Sequence, residues 1–518
     1  MEIPRVEVPE QYNAAVDFVD RHVAEGRGGK LALIAGDCRL TYQQVQDLVN
    51  RAGNALLGLG VEAEQRVLIL CLDCPEWVAA FWGAMKIGAV PVPVNTLMRP
   101  ADYAYFLNDS RARVLVVSEA LWPEVEKVRH ELAFLRHIVV VGKATGGLIP
   151  FDEWVAKASP ALQAAETSKD DTAFWLYSSG STGFPKGAVH LHHDIVYTTD
   201  LYARPTLGIT ERDITFSAAK LFFAYGLGNN LTFPFRVGAT AVLHAGRPMP
   251  DAMFETIHTY RPTIFFGVPT LYAAMLQIPD AEKKWDLSCL RLCVSAGEAL
   301  PAELMKRWRE RFGTDVLDGI GSTEVLHIFI SNRRGDIKPG SSGKIVPGYE
   351  ARLTDEAGRP VAQGEVGNLL IKGESTAACY WNKHQRTKQT MLGEWIMTGD
   401  KYTQDAEGYF YYCGRSDDML KVGGIWVSPF EVESTLIGHP AVLEAAVVGL
   451  EDTDKLVKPK AYVVLKAGQT PSPTLEADLK AFVKDKIAPY KYPRWIEFVP
   501  ELPKTATGKI QRFKLRAQ

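Results

Sequence analysis

Between Leu31 and Ser295 the chain alternates short apolar runs with helical patterns, and no other feature narrows the fold as far. Leu31 to Ala35 reads as a strand. Thr41-x-x-Gln44 is a capping box, in which the hydroxyl takes the amide N–H three residues on and the glutamine reaches back. Val45, Leu48, Val49, Ala52 and Leu56 line one face of the helix it opens, and Gly58 and Gly60 stop it. Val67 to Leu72 is then a buried strand, Pro75 starts a helix through Ile87, and Ala89 to Val94 is the next strand. Arg113 to Val117, Ile138 to Val141, Thr172 to Tyr177, Ile214 to Ser217, Ala239 to Leu243, Thr263 to Val268 and Leu290 to Ser295 continue the series. Such βαβ alternation predicts a large α/β assembly, with room for two sheets and with loops at the strand ends available for chemistry.

The texture changes at about Gly340. Short β-like segments (Glu350 to Leu353, Asn368 to Ile371, Tyr409 to Tyr412) predict a small β-rich subdomain over about 340–414. Beyond the polar stretch Gly414-Arg-Ser-Asp-Asp-Met-Leu-Lys-Val-Gly-Gly424, a helix from Pro429, strands near Ala445 to Val448 and Ala461 to Val464, and a helix from Leu475 predict an α+β domain. The expected division is 1–416 and 417–518, the second unit being of ordinary domain size.

One loop stands out chemically. Tyr177-Ser-Ser-Gly-Ser-Thr-Gly-Phe-Pro-Lys-Gly187 lies between the strand ending at Tyr177 and a short run, Ala188 to Leu191. Gly180, Gly183 and Gly187 allow close backbone approach, Ser178, Ser179, Ser181 and Thr182 offer donors, and Lys186 adds a positive charge, which together suit a polyphosphate. It is not the Walker A pattern, because no Gly-Lys-Ser/Thr opens a helix and the chain continues into a strand. A flexible surface hairpin would use the same residues, so the loop alone does not decide.

Composition excludes several classes. The net charge of −3 arises from 58 basic and 61 acidic residues with both signs interspersed, which gives no electrostatic footprint for nucleic acid or an acidic membrane. Seven cysteines (Cys38, Cys71, Cys74, Cys289, Cys293, Cys379, Cys413) are odd in number and lie mostly in apolar runs; Cys71-x-x-Cys74 has no second pair at zinc spacing. Buried free thiols in a reducing cytoplasm are expected. The start, Met-Glu-Ile-Pro-Arg, lacks a basic region followed by an apolar stretch, and the most apolar region, Val67 to Val94, is interrupted by Asp73, Glu76 and Lys86, so neither a signal peptide nor a spanning helix is expected.

Further motifs follow the loop in order: Ser295-Ala-Gly-Glu-Ala-Leu300, Asp318-Gly-Ile-Gly-Ser-Thr-Glu324, Met397-Thr-Gly-Asp400 with Gly414-Arg415, and Gly508-Lys509 in the tail. Their order and spacing resemble the adenylate-forming superfamily of acyl- and aryl-CoA synthetases, peptide-synthetase adenylation domains and luciferases, over nearly the whole chain. The resemblance implies a large N-terminal domain of two α/β sheets and a β-barrel, followed by a small mobile C-terminal domain that carries a catalytic lysine. It implies that Ser178, Ser179, Gly180, Ser181, Thr182, Gly183 and Lys186 close over the β- and γ-phosphates of ATP, and that Gly297 and Glu298 line the adenine. Thr323 would touch the α-phosphate and Glu324 would hold Mg²⁺, a hard cation that prefers oxygen ligands shared with phosphate. Asp400 and Arg415 match ribose-binding positions, Lys509 the lysine that reaches the α-phosphate and the substrate carboxylate, and Asp417 the hinge. Ile320 departs from the pattern, since many members carry an adenine-stacking aromatic there.

The reaction implied is attack of a carboxylate on the α-phosphate of ATP, giving an acyl-AMP and pyrophosphate, and then attack of the coenzyme A thiol on the carbonyl with AMP leaving. Lys220-Leu-Phe-Phe-Ala-Tyr-Gly-Leu-Gly-Asn229 and Asp318 to His327 look most like benzoate-CoA ligases, with Ala224, Tyr225, Gly321 and His327 lining the acyl pocket. Tyr225 is bulky where a long acyl chain needs a tunnel, so a short flat acid fits. Other small cyclic acids (hydroxybenzoate, aminobenzoate, furoate), a carrier-protein thiol in place of coenzyme A, and a nucleotide-binding regulator without chemistry remain as alternatives. The resemblance also raises two partners: a second copy of the chain in a homodimer, and a lysine acetyltransferase and deacetylase acting on Lys509.

Overall fold

The computed structural model describes residues 4–178, 184–415, 418–422, 425–452, 457–488, 491–504 and 509–516. The alternation in the first 300 residues produces two sheets. One is a five-stranded parallel sheet in the order Val90–Pro93, Arg66–Leu70, Val114–Ser118, His137–Val141, Ile149–Pro150. The other has nine strands. Its parallel centre runs Leu31–Ala35, Thr240–Leu243, Ile214–Ser217, Ile264–Gly267, Leu292–Ser295, Val316–Gly321. Antiparallel strands close its edges, Cys38–Thr41 on one side and Ile328–Ser331 with Lys344–Ile345 on the other. Most strand bounds fall within two residues of those read from the sequence.

Local chemistry sets the helices between them. Thr41 Oγ1 accepts from the Gln44 amide at 3.3 Å and Gln44 Oε1 accepts from the Thr41 amide at 2.9 Å, completing the predicted box at the head of Tyr42–Gly58. Losing such a cap costs about 1 kcal/mol. Pro75 occupies the first turn of Pro75–Lys86, where its missing N–H costs nothing. That helix is buried on almost every side, with Trp77, Phe81 and Trp82 fully enclosed. Lys86 is 2% exposed, and its ammonium lies 2.6 Å from Asp20 Oδ2 and 2.6 Å from Asn50 Oδ1. A charge that reads in the sequence as an interruption of an apolar run is therefore a paired core group, as a buried ammonium must be.

An antiparallel hairpin, Thr172–Ser178 and Lys186–Leu191, takes Cys379–Tyr380 as a third strand. Where the resemblance led to a β-barrel, the strands Glu350–Thr354, Gly367–Lys372, Met391–Leu392, Trp395–Gln404 and Phe410–Arg415 pair as a five-stranded antiparallel sheet. Phe410 exchanges both backbone bonds with the 342–343 segment, which ties this sheet to the edge of the nine-stranded one. The C-terminal part packs Pro429–Ile437 and Pro473–Lys486 against Val442–Glu451, Val457–Leu465 and Trp495–Phe498. Its own apolar cluster runs from Leu420 to Ile496. Among the described residues all seven cysteines are free, and no helix is long and apolar enough to cross a membrane.

Candidate active site

Ligands of open α/β sheets gather beyond the carboxyl ends of the strands. Here the strands ending at Gly267, Ser295 and Gly321 deliver their loops to one place, and the hairpin and the five-stranded sheet add to it from the side.

Ser178 and Lys186 are cross-strand partners at the mouth of the hairpin, so both ends of the Gly/Ser loop are anchored. Ser179, Gly180, Ser181, Thr182 and Gly183 lie outside the described residues, as do Asp417 and Gly508. Ser178 Oγ donates to Glu324 Oε1 at 2.9 Å, and the Tyr380 hydroxyl donates to the same oxygen at 2.7 Å. The Lys186 ammonium stands 4.5 Å from the centre of the Tyr380 ring. Burial pulls its pKa down while the charge of Glu324 works the other way. Lys186, Tyr380, Ser178 and Glu324 thus form one cluster, of which Tyr380 was not predicted. It sits in Ala378-Cys-Tyr-Trp381, which carries no polar pattern to mark it.

Glu324 and Thr323 ride on a tight turn after Gly321. Ser322 Oγ caps it by accepting from the Val325 amide at 3.2 Å. Leu326 has φ +70° and ψ −41°, a conformation non-glycine residues seldom take. A Cβ on Gly321 would sit 2.5 Å from the His327 carbonyl oxygen, so only glycine lets the two arms of the turn approach so closely. Ile320, between the two glycines, is half-buried and pairs with Ile330 across the ladder. It presents aliphatic packing at the position where an aromatic was the family expectation.

Asp400 and Arg415 are directly opposite on adjacent strands, which explains how residues fifteen apart in sequence become one unit. Arg415 Nη1 lies 3.1 Å from Asp400 Oδ1 and donates to the Thr398 carbonyl at 3.1 Å. Gly399 has φ +77°, and a Cβ there would lie 2.8 Å from Arg415 Nη2. Burial raises the Asp400 carboxyl, opposed by the Arg415 guanidinium and, more weakly, by Lys509. Lys509 arrives from the tail: its Cε is 3.8 Å from where a Cβ on Gly297 would be. The next amide, Ile510, donates to Glu298 Oε1 at 3.1 Å. Burial raises Glu298 as well, against that N–H and the charges of Arg512 and Lys509.

Beside this polar rim is an aromatic enclosure. The Tyr225 hydroxyl is within 3.2 Å of both the Gly267 and Val294 carbonyl oxygens, at the ends of two central strands. His327 is 3% exposed, with Nε2 3.3 Å from the Tyr225 carbonyl and 3.2 Å from Asn229 Oδ1. Burial lowers its pKa to about 3, so the ring is neutral and Nε2 carries the proton that both acceptors face. The Tyr225 and His327 rings are 5.6 Å apart, and a Cβ on Gly228 would fall 2.3 Å from His327 Cδ2. Ala224 is buried at the start of the short helix Ala224–Leu227 that also carries Tyr225.

Every predicted site residue that is described therefore converges on the carboxyl ends of the central strands. In the polar cluster the Glu324 carboxylate has the hydroxyls of Ser178 and Tyr380 on one oxygen. Among the described residues no cluster of three or more metal-ligating side chains exists. That donor set fits Mg²⁺ held largely by substrate phosphates rather than a protein cage.

Known proteins resemble the chain along nearly its whole length. The AMP-binding enzyme model matches residues 20–381 and the AMP-binding enzyme C-terminal domain model residues 431–509. A benzoate–CoA ligase of Thauera aromatica is 56% identical over 99% of this chain and 97% of its own length. A 4-hydroxybenzoate–CoA/benzoate–CoA ligase of Rhodopseudomonas palustris is 48% identical over 98% and 94%. Among solved structures, an anthranilate CoA ligase in complex with anthranoyl-AMP superposes with a TM-score of 0.96 at 51% identity, covering 98% of each chain. A benzoate CoA ligase from Burkholderia xenovorans gives 0.91 at 51% identity, covering 98% of this chain and all of the other. The chain, with its strand-end cluster of Lys186, Glu324, Asp400, Arg415 and Lys509, belongs to the AMP-binding enzyme family.

Proposed function

We propose that this protein is an AMP-forming ligase that joins benzoate to coenzyme A through benzoyl-AMP. The observation that carries the reading is the polar cluster at the strand ends lying beside the aromatic group of Tyr225 and His327. A nucleotide's phosphates and ribose would occupy the first and a planar acid the second.

Two anions must meet in the first half-reaction. The carboxylate oxygen forms a bond to the α-phosphorus, the bond to the bridging oxygen breaks, and pyrophosphate leaves. Lys509 supplies positive charge where the two anions approach, and Thr323 donates a hydroxyl to the α-phosphate. Ser178 and Lys186 anchor the loop on the pyrophosphate side, while Asp400 and Arg415 hold the ribose in a fixed fork of acceptor and donor. Mg²⁺, held by Glu324 and the phosphates, would neutralise part of the phosphate charge. In the second half-reaction the thiol of coenzyme A attacks the carbonyl carbon and AMP departs. A thiol of pKa near ~8.5 is nucleophilic enough to do without a dedicated base. The enclosure of Ala224, Tyr225, Gly321 and His327 receives the ring with few polar groups. Acetylation of Lys509 would cancel the charge the first step uses, which makes that residue a natural point of control.

The test is AMP formation with free coenzyme A over a panel of benzoate, hydroxybenzoates, aminobenzoates, furoate and short alkyl acids. Benzoate should rank at or near the top. Release of AMP with no aryl acid, or acyl transfer only to a carrier-protein thiol, would overturn the reading.

A further inference from the structure

His190 lies on Lys186–Leu191, the strand that leaves the Gly/Ser loop, and carries none of the chemistry above, yet it is completely buried and both of its ring nitrogens are engaged. Nδ1 is 2.7 Å from Asp194 Oδ2, and Nε2 is 2.8 Å from the backbone carbonyl oxygen of Thr323. Both partners are oxygen acceptors, one facing each ring nitrogen. Its plane stacks on Phe174 at 5.4 Å, which leaves little freedom to turn away. Asp194 is equally buried and is held in turn: its Oδ2 accepts from the Leu191 amide at 3.1 Å, and His193 Nε2 lies 3.0 Å from Oδ1. Burial would raise this carboxyl, but the hydrogen bonds from His190 and His193 outweigh it and keep it below its ordinary value.

The far end of this chain of contacts is the strained turn at 322–326. Thr323 and Glu324 sit there with Leu326 at positive φ, and the bond from His190 adds to the two local ones, Val325 amide to Ser322 Oγ and Leu326 amide to the Thr323 carbonyl. We infer that His190, oriented by Asp194, is a positioning residue for adenylate formation: it pins the Thr323 carbonyl so that the Thr323 hydroxyl and the Glu324 carboxylate face the phosphates. It also joins the strand that carries Lys186 to that turn, so the two sides of the phosphate site keep one spacing. A misplacement of about 1 Å at such a site costs on the order of 100-fold in rate.

The inference rests on the adenylation reading, and the two can be separated experimentally. Asparagine places its amide nitrogen near the position of Nδ1, and glutamine near that of Nε2. His190→Asn therefore keeps a donor for Asp194 and loses the bond to Thr323, whereas His190→Gln keeps a donor for Thr323. Benzoate-dependent ATP–pyrophosphate exchange should fall roughly 10- to 100-fold in kcat for His190→Asn, with KM for benzoate within about threefold, and stay within about fivefold for His190→Gln. Transfer from supplied benzoyl-AMP to coenzyme A should change less than threefold in both, and circular dichroism with thermal melting checks that each variant folds. A purely structural histidine would make the two variants alike. Exchange in the unmutated protein with equal kcat in both variants, or parallel loss of both half-reactions in His190→Asn, overturns the pin alone; no exchange in the unmutated protein overturns the adenylation reading and this one with it.

Discussion

Asp73 offers a quantitative check on how the proposed acyl pocket is supported. It follows the strand Arg66–Leu70, is 4% exposed, and accepts the Leu221 amide on Oδ1 at 3.2 Å. That amide begins the loop leading into the helix that carries Ala224 and Tyr225. Burial raises the carboxyl from 3.8 to about 6, against the charge of Lys220 and the Leu221 N–H. At 1.36 kcal/mol for each tenfold step in acidity, this is ~3 kcal/mol in favour of the neutral form. The sign follows from linkage. A raised carboxyl leaves stability untouched at acid pH, where it is protonated folded or unfolded, and destabilises the fold increasingly as pH climbs from about 4 to above 6. Asp73→Asn mimics the protonated form and retains an oxygen for the Leu221 amide. It should melt roughly 3 °C higher than the unmutated protein at pH 7.5, and the gain should vanish towards pH 4. Adenylation kcat should stay within about twofold, because the loop keeps its acceptor. Melting scans at both pH values decide the matter: a difference independent of pH, or a less stable asparagine variant at pH 7.5, would refute the argument.

Other expectations follow from the site. Lys509→Ala should lower benzoate-dependent ATP–pyrophosphate exchange by about 100- to 1,000-fold while sparing transfer from supplied benzoyl-AMP, as removal of one preorganised charge stabiliser does; equal loss of both would refute its role. Asp417→Pro, which fixes φ near −65° at the proposed hinge, should give the mirror image, with benzoyl-AMP formed and thioester formation slowed by orders of magnitude. Tyr225→Ala should admit para-extended benzoates that the unmutated protein disfavours by about 10- to 200-fold, measured as the ratio of kcat/KM values; large 4-substituted acids matching benzoate beforehand would refute the pocket.

The sequence made strands and helices legible because period, caps and breakers are local. Thr41 with Gln44, and Pro75, announce their helices without reference to the rest of the chain. Motif residues such as Glu324 and Lys509 were legible through resemblance. What stayed hidden depends on partners distant in sequence. Lys86 and Asp73 look like solvated charges until Asp20, Asn50 and Leu221 fold over them. Tyr380 and His190 show nothing in their own segments, because each acquires meaning only from an acceptor on the 323–324 turn. Cross-chain hydrogen bonds of this kind have no periodicity to read.

The two halves of the site are held by different physics. Ser178 with Lys186 and Asp400 with Arg415 are register partners in antiparallel ladders. Slipping either ladder by one residue would turn a side chain to the opposite face, so their placement is as firm as the sheets themselves. Lys509 is placed otherwise. The amide that follows it, Ile510, meets Glu298, a charge-assisted bond worth about 1.5–3 kcal/mol. Under the proposed adenylation, an energy of that size would order the lysine for the first half-reaction and be small enough to give up when a pantetheine arm must enter. Ladder-fixed residues are thus suited to parts of the nucleotide present throughout, and Lys509 to the one step that precedes the thiol.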